Sequence, residues 1–192
     1  SEVTLSGGYL KVTFQRGEHL RLTSLYNTIT KTEMVRDVPA SALFLVEVGD
    51  KRYSGSRDFR LTSLTATGSG FSAQMDLTDG AAVLRGLLEA AIEASGLRLS
   101  FRLTNVGPQS VDFKLAFPHL AGLAVSPAAK DDYYFYPWGG GIIADTPAAI
   151  RRGYGDHEAL YQVMDLYSPQ LGGGLSVRAD DAEGWHKVLA LR

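Results

Sequence analysis

Between Asp131 and Gly155 the chain reads DDYYFYPWGGGIIADTPAAIRRGYG. Tyr133, Tyr134, Phe135, Tyr136 and Trp138 stand beside Pro137 and the triplet Gly139, Gly140 and Gly141; a second triplet, Gly172 to Gly174, follows MDLYSP. Aromatic rings stack on the C–H faces of sugars, and Asp, Arg and His bond the hydroxyls. On that chemistry the candidate carbohydrate contacts are Tyr136 and Trp138 for stacking, with Arg151 and His157 as polar partners from the adjoining segment. The same residues also suit a tight corner in a β-protein, where alternate aromatics fill the core.

Other chemistries find less to work with. Neither glycine triplet continues into GK[ST] or GxGxxG, so both read as turns or close backbone approaches rather than phosphate cradles. His157-Glu158 opens like a zinc motif but has Tyr161 where the second His belongs. The pairs Asp131-Asp132 and Asp180-Asp181 offer oxygens to Ca²⁺, though adjacent acids ordinarily sit in solvent. No metal site and no cofactor is expected. Glycosidase chemistry needs two carboxyl groups, roughly 5 Å or 6.5–9.5 Å apart, and none of the 21 acidic residues is marked by a motif. His19, His119, His157 and His186 could shuttle protons in a sugar epimerase, but none lies in a signature. No GxSxG elbow is present, and no catalytic residue is assigned.

The elements that must carry these residues are strands. Tyr9 to Phe14 alternates after a Gly7-Gly8 turn, and His19 to Tyr26 forms a second strand with Leu20, Leu22 and Ser24 on one face. Asn27 to Glu33 reads as a polar loop and Leu43 to Val48 as a central strand. Phe59 to Thr67 and Phe71 to Leu77 flank a Gly68-Ser69-Gly70 turn. Ala81 to Ala94 fits helical spacing and strand alternation alike; Gly86 costs a helix about 1 kcal/mol, and we expect a hairpin of two long strands. Leu97, Leu99, Phe101 and Leu103 make the clearest strand and should be buried together. Val111 to Phe117 alternates again. Beyond Pro118, strand signals fall at Gly140 to Ala144, Tyr161 to Leu166, Gly174 to Arg178 and His186 to Leu191. Such spacing indicates an all-β sandwich or barrel.

Composition sets the outer bounds. The 192 residues suit one large β domain spanning 1–192, with 45% apolar and 21% charged residues and no disorder signature. A net charge of −2 with mixed signs offers no footprint for nucleic acid. No run of about 18 apolar residues marks a membrane span. Without cysteine there is no disulfide or thiolate chemistry, yet this leaves the compartment open, a secreted or periplasmic place included. The chain opens at Ser1 and closes inside the apolar run KVLALR, which we read as a cut made within a longer protein.

The order of segments is familiar. GGYLKVTF and LRLTSLYNTITKTEMV resemble the first strands of galactose-mutarotase-like β-supersandwich domains. LSFRLTN, DFKLAFPHLAGL, DDYYFYPWGGGII and YQVMDLYSPQLGGGLSVRADDAEGWHKVLAL follow in an order similar to the N-terminal domain of large bacterial glycoside hydrolases of the endo-α-N-acetylgalactosaminidase type and their uncharacterised relatives. FPHLAGL, YPWGGG and MDLY…GGGL carry most of that likeness, which covers nearly the whole chain.

This resemblance implies an all-β, antiparallel β-supersandwich with few helices, placed before a catalytic β/α barrel. It implies that the catalytic carboxylates lie beyond Arg192, so the domain itself is not catalytic while its parent is a glycoside hydrolase. Its partners would be carbohydrate and the downstream catalytic domain of the same chain. An independent carbohydrate-binding module and a stand-alone sugar epimerase or mutarotase-like enzyme are the alternatives. The motifs that carry mutarotase catalysis are not found in this chain, and fold alone does not license that activity.

Overall fold

A computed structural model describes residues 1–80, 82–146, 150–154, 161–183 and 187–191. The described residues form strands joined by turns and two single 3-10 turns, Val38–Ala40 and Ala129–Asp131. Every named strand pair is antiparallel. The chain divides into two compact units, Ser1–Leu123 and Ala124–Arg192.

The first unit begins with β1 (Glu2–Gly7), β2 (Leu10–Arg16), β3 (Leu20–Asn27) and β4 (Thr32–Glu33), paired in that order. Gly8, at φ +55, supplies the left-handed residue that the β1–β2 turn requires. A bulge changes the expected face of β3: Thr13 pairs with Ser24 but Phe14 pairs with Leu22, so Thr23 is skipped. Leu25 rather than Ser24 therefore continues the buried side begun by Leu20 and Leu22. Ser24 instead donates to Glu33 Oε2 at 2.5 Å, and Glu33 Oε1 accepts the Leu25 and Val35 N–H groups.

Next come β5 (Leu43–Val48) and β6 (Lys51–Ser54), then β7 (Arg60–Thr67), β8 (Gly70–Asp79), β9 (Ala82–Glu93) and β10 (Gly96–Asn105). β7 to β10 form a four-stranded meander. β11 (Lys114–His119) returns to the other side of β5, giving the order β11-β5-β6. The segment with two readings is therefore a strand. Leu84, Leu88 and Ala90 are buried while Arg85 and Glu89 are exposed. β9 pairs with β8 along one edge and β10 along the other, so tertiary pairing outweighs its helix propensity.

Aromatic contacts join the three sheets of this unit. Phe14 meets Phe71 edge-on at 5.0 Å between centroids. Phe44 meets Phe59 at 4.9 Å and stacks on Phe101 at 4.2 Å, and Phe101 in turn stacks on Phe117 at 5.3 Å. Such pairs contribute about 0.5–1.5 kcal/mol each beyond the area they bury. Leu97, Leu99, Phe101 and Leu103 do share one face, opposite exposed Arg98, Ser100, Arg102 and Thr104, but they are half-buried rather than buried. β10 is an edge strand, so neighbouring strands cover it from one side only.

The second unit holds β12 (Tyr133–Tyr136), β13 (Ile142–Ala144), β14 (Ile150–Tyr154), β15 (Val163–Ser168), β16 (Gly173–Arg178) and β17 (Lys187–Leu191). They make a four-stranded sheet, β13-β12-β15-β16, and a pair, β14-β17. A hydrogen bond ties the two together: the Tyr136 hydroxyl donates to the Leu189 carbonyl at 2.8 Å.

Candidate functional site

The aromatic run becomes β12, and its end is shaped by backbone. After Tyr136 the chain turns, with the Trp138 N–H donating to the Tyr136 carbonyl and the Gly141 N–H to the Trp138 carbonyl, each at 3.0 Å. Gly139 sits at φ +57 and Gly141 at φ +104, conformations that L side chains rarely adopt. A Cβ at Gly141 would also stand 2.6 Å from the Phe135 ring, whereas none at Gly139 or Gly140 would meet anything within 4 Å. The triplet thus closes against Phe135 on one side and leaves open space on the other.

Trp138 stands at this turn, 42% exposed. The Arg152 guanidinium lies over its ring, 4.4 Å from the centroid. Arg152 Nη1 donates to the Arg151 carbonyl at 2.9 Å, while its buried Nε finds no hydrogen-bond partner among the described residues. The cation–π contact holds the indole in place and is worth about 0.5–1 kcal/mol at an exposed site.

The four residues singled out from the sequence fall in different places. Tyr136 is buried, 1% exposed, with its hydroxyl bonded to Leu189, so its ring presents no face to solvent. Trp138 faces outward. Arg151 is exposed, and its neighbour Arg152 is the one that meets Trp138. His157 lies outside the described residues, as do Trp185 and His186. Strand alternation could have indicated Arg152, since only one of two adjacent arginines in β14 can point towards a given side.

The acidic pairs separate. Asp132 is buried, with Oδ2 accepting the Val125 N–H at 2.8 Å and Oδ1 unpartnered among the described residues. Asp180 pairs with Arg178 at 2.8 Å, and Asp181 with Lys187 at 2.5 Å. Among the described residues no three His, Cys, Asp or Glu side chains gather where they could hold a metal ion. His19 and His119 bond to backbone: His19 Nδ1 lies 2.9 Å from the Phe59 carbonyl, and His119 Nδ1 accepts the Ala42 N–H at 3.3 Å. Burial raises the Asp165 carboxyl above its ordinary pKa, with the Leu166 N–H opposing the shift.

These features define a class: an all-β, antiparallel, sandwich-like protein with an outward tryptophan backed by arginine. In structure the chain is similar to the GH36 α-galactosidase AgaA from Geobacillus stearothermophilus, with a TM-score of 0.52 and 15% identity. The likeness covers 88% of this chain and 32% of that one, so the chain spans about a third of the length of that enzyme. At such identity it establishes the fold alone. No protein-family model matches the chain, and no curated protein matches it by sequence.

Proposed function

We propose that the chain is a non-catalytic β-sandwich portion of a larger glycoside hydrolase, packing on the catalytic domain and helping to shape its sugar cleft. The structural likeness carries this reading: 88% of the chain aligns with a part, 32%, of an α-galactosidase. FPHLAGL and YPWGGG favour a parent of the endo-α-N-acetylgalactosaminidase type. Trp138, steadied by Arg152, is the residue through which the chain meets either the catalytic domain or a sugar lodged against it.

An independent carbohydrate-binding module is the second reading, favoured by the open space around Gly139 and Gly140 beside Trp138. An epimerase is less well supported, because His19 and His119 both have a ring nitrogen committed to backbone.

Sequencing the source locus past the codon for Arg192 tests the first reading. A reading frame that continues into a domain with paired catalytic carboxyls is the expected result. A natural stop codon at that point contradicts it.

A further inference from the structure

The sheet β13-β12-β15-β16 has two unlike faces. One carries Tyr136 and Ser168, both buried, together with Tyr134, Leu166 and Leu175. The other is the solvent side: Ile143 is 62% exposed there, and Ser176 and Arg178 are exposed. A solvent side ordinarily alternates to polar residues. Here the register places Tyr133 opposite Tyr167, and Phe135 opposite Asp165, which in turn faces Ser176. Cross-strand partners share a face, so three aromatic rings and one carboxyl form a single block. The rings of Tyr133 and Tyr167 lie near-parallel, 28° apart with centroids 5.8 Å from one another. Gly174, opposite Tyr167, has no room for a side chain, since a Cβ there would stand 2.8 Å from Tyr167 Cβ.

We propose that this outer face is a shallow carbohydrate-binding platform, on which a pyranose stacks one C–H face on the rings of Tyr133, Phe135 and Tyr167 and donates hydroxyl hydrogens to Asp165. Charge selects this occupant. Among the described residues no cation pairs with Asp165, while Arg178, the nearby arginine of β16, is bound to Asp180. An apolar protein surface laid over the block would leave the carboxyl only the Leu166 N–H as donor, which disfavours such a partner. An anionic ligand would be repelled. A sugar supplies both apolar C–H groups and donors, and Ser176 adds a hydroxyl at the margin. The carboxyl is already partly desolvated, so a donor from the ligand replaces water that it has lost.

The platform rests on the carbohydrate-associated reading above, but the two fail separately. Titrate the chain with methyl α-D-galactopyranoside and methyl α-D-glucopyranoside, following aromatic ring signals by NMR, with tetramethylammonium chloride as a cationic control. Saturable shifts at Tyr133, Phe135 and Tyr167 are expected with at least one sugar. Asp165→Ala and Tyr167→Ala should each weaken binding roughly tenfold. Tyr167→Phe, which keeps the ring, should bind like the parent. Rings that stay silent with both sugars, shifts confined to Trp138, or a response to tetramethylammonium alone would overturn the platform. None of these outcomes bears on whether the reading frame continues into a catalytic domain.

Discussion

The ring of Phe101 occupies the space that a side chain at Gly86 would need. A Cβ at Gly86 would lie 2.8 Å from Phe101 Cζ, and Gly86 sits on β9 opposite Leu103 of β10. The glycine that argues against a helix in the sequence is thus a seat for an aromatic ring on the next strand. Gly86→Ala should lower stability by about 1–3 kcal/mol through overpacking. Phe101→Ala, at a half-buried site, should cost about 2 kcal/mol, below the range for fully buried Phe. The double variant should lose less than the sum, because the methyl group enters the vacated space. Additive losses in urea denaturation would show that the two residues are not coupled.

Tyr136→Phe should cost about 1–2 kcal/mol, because it leaves the Leu189 carbonyl without its donor. Thermal melts of parent and variant measure it. An unchanged midpoint would mean that the bond between the two sheets of this unit contributes nothing.

Arg152→Ala should free the Trp138 indole, raising its accessibility to acrylamide while lowering stability by about 0.5–1 kcal/mol. Trp138→Ala supplies the baseline for the other tryptophan, Trp185. If quenching of Trp138 is the same with and without Arg152, the cation–π contact does not position the ring.

Lys51, Tyr53 and Asp79 give a pH dependence whose sign is set. Asp79 Oδ2 accepts from Lys51 Nζ and from the Tyr53 hydroxyl, each at 2.8 Å. The Lys51 bond, then the Tyr53 bond, lowers the Asp79 carboxyl, so its contribution is present above the unfolded value near 3.8 and is lost as pH falls through the folded one. Lys51 is raised, chiefly by its bond to Asp79, and Tyr53 chiefly by burial. Their contributions are full below the unfolded values and disappear as pH rises past them. Stability of the parent should therefore fall at both extremes. Asp79→Asn should flatten the acid flank and the Lys51 part of the alkaline flank, leaving the part that burial of Tyr53 causes. Identical profiles for parent and variant in denaturant titrations from acid to alkaline pH would remove these three groups from the account.

How much of this could be read from the sequence depended on pattern. Leu43 to Val48 is apolar but for Glu47 and is ended by Gly49-Asp50, and β5 has those limits. β6, only four residues with two exposed charges, offers no alternation to detect. β12 escaped notice because all of its residues are aromatic: both faces of its sheet take rings, so period two disappears. At the candidate site, spacing set Tyr136 and Trp138 on one side of an extended chain, but the turn beginning at Pro137 sends one ring inward and the other outward. The outer block of Tyr133, Phe135, Tyr167 and Asp165 joins strands about thirty residues apart in sequence, and only the register brings it together.

The central claim is that the chain serves a glycoside hydrolase without doing its chemistry. Assay the chain alone, and the chain extended through the polypeptide encoded after Arg192, on p-nitrophenyl α- and β-glycosides at high protein concentration. The extended protein should turn over at least one substrate, and the isolated chain none. Turnover by the isolated chain that survives repurification and is abolished by a single Asp or Glu substitution within residues 1–192 would contradict the account.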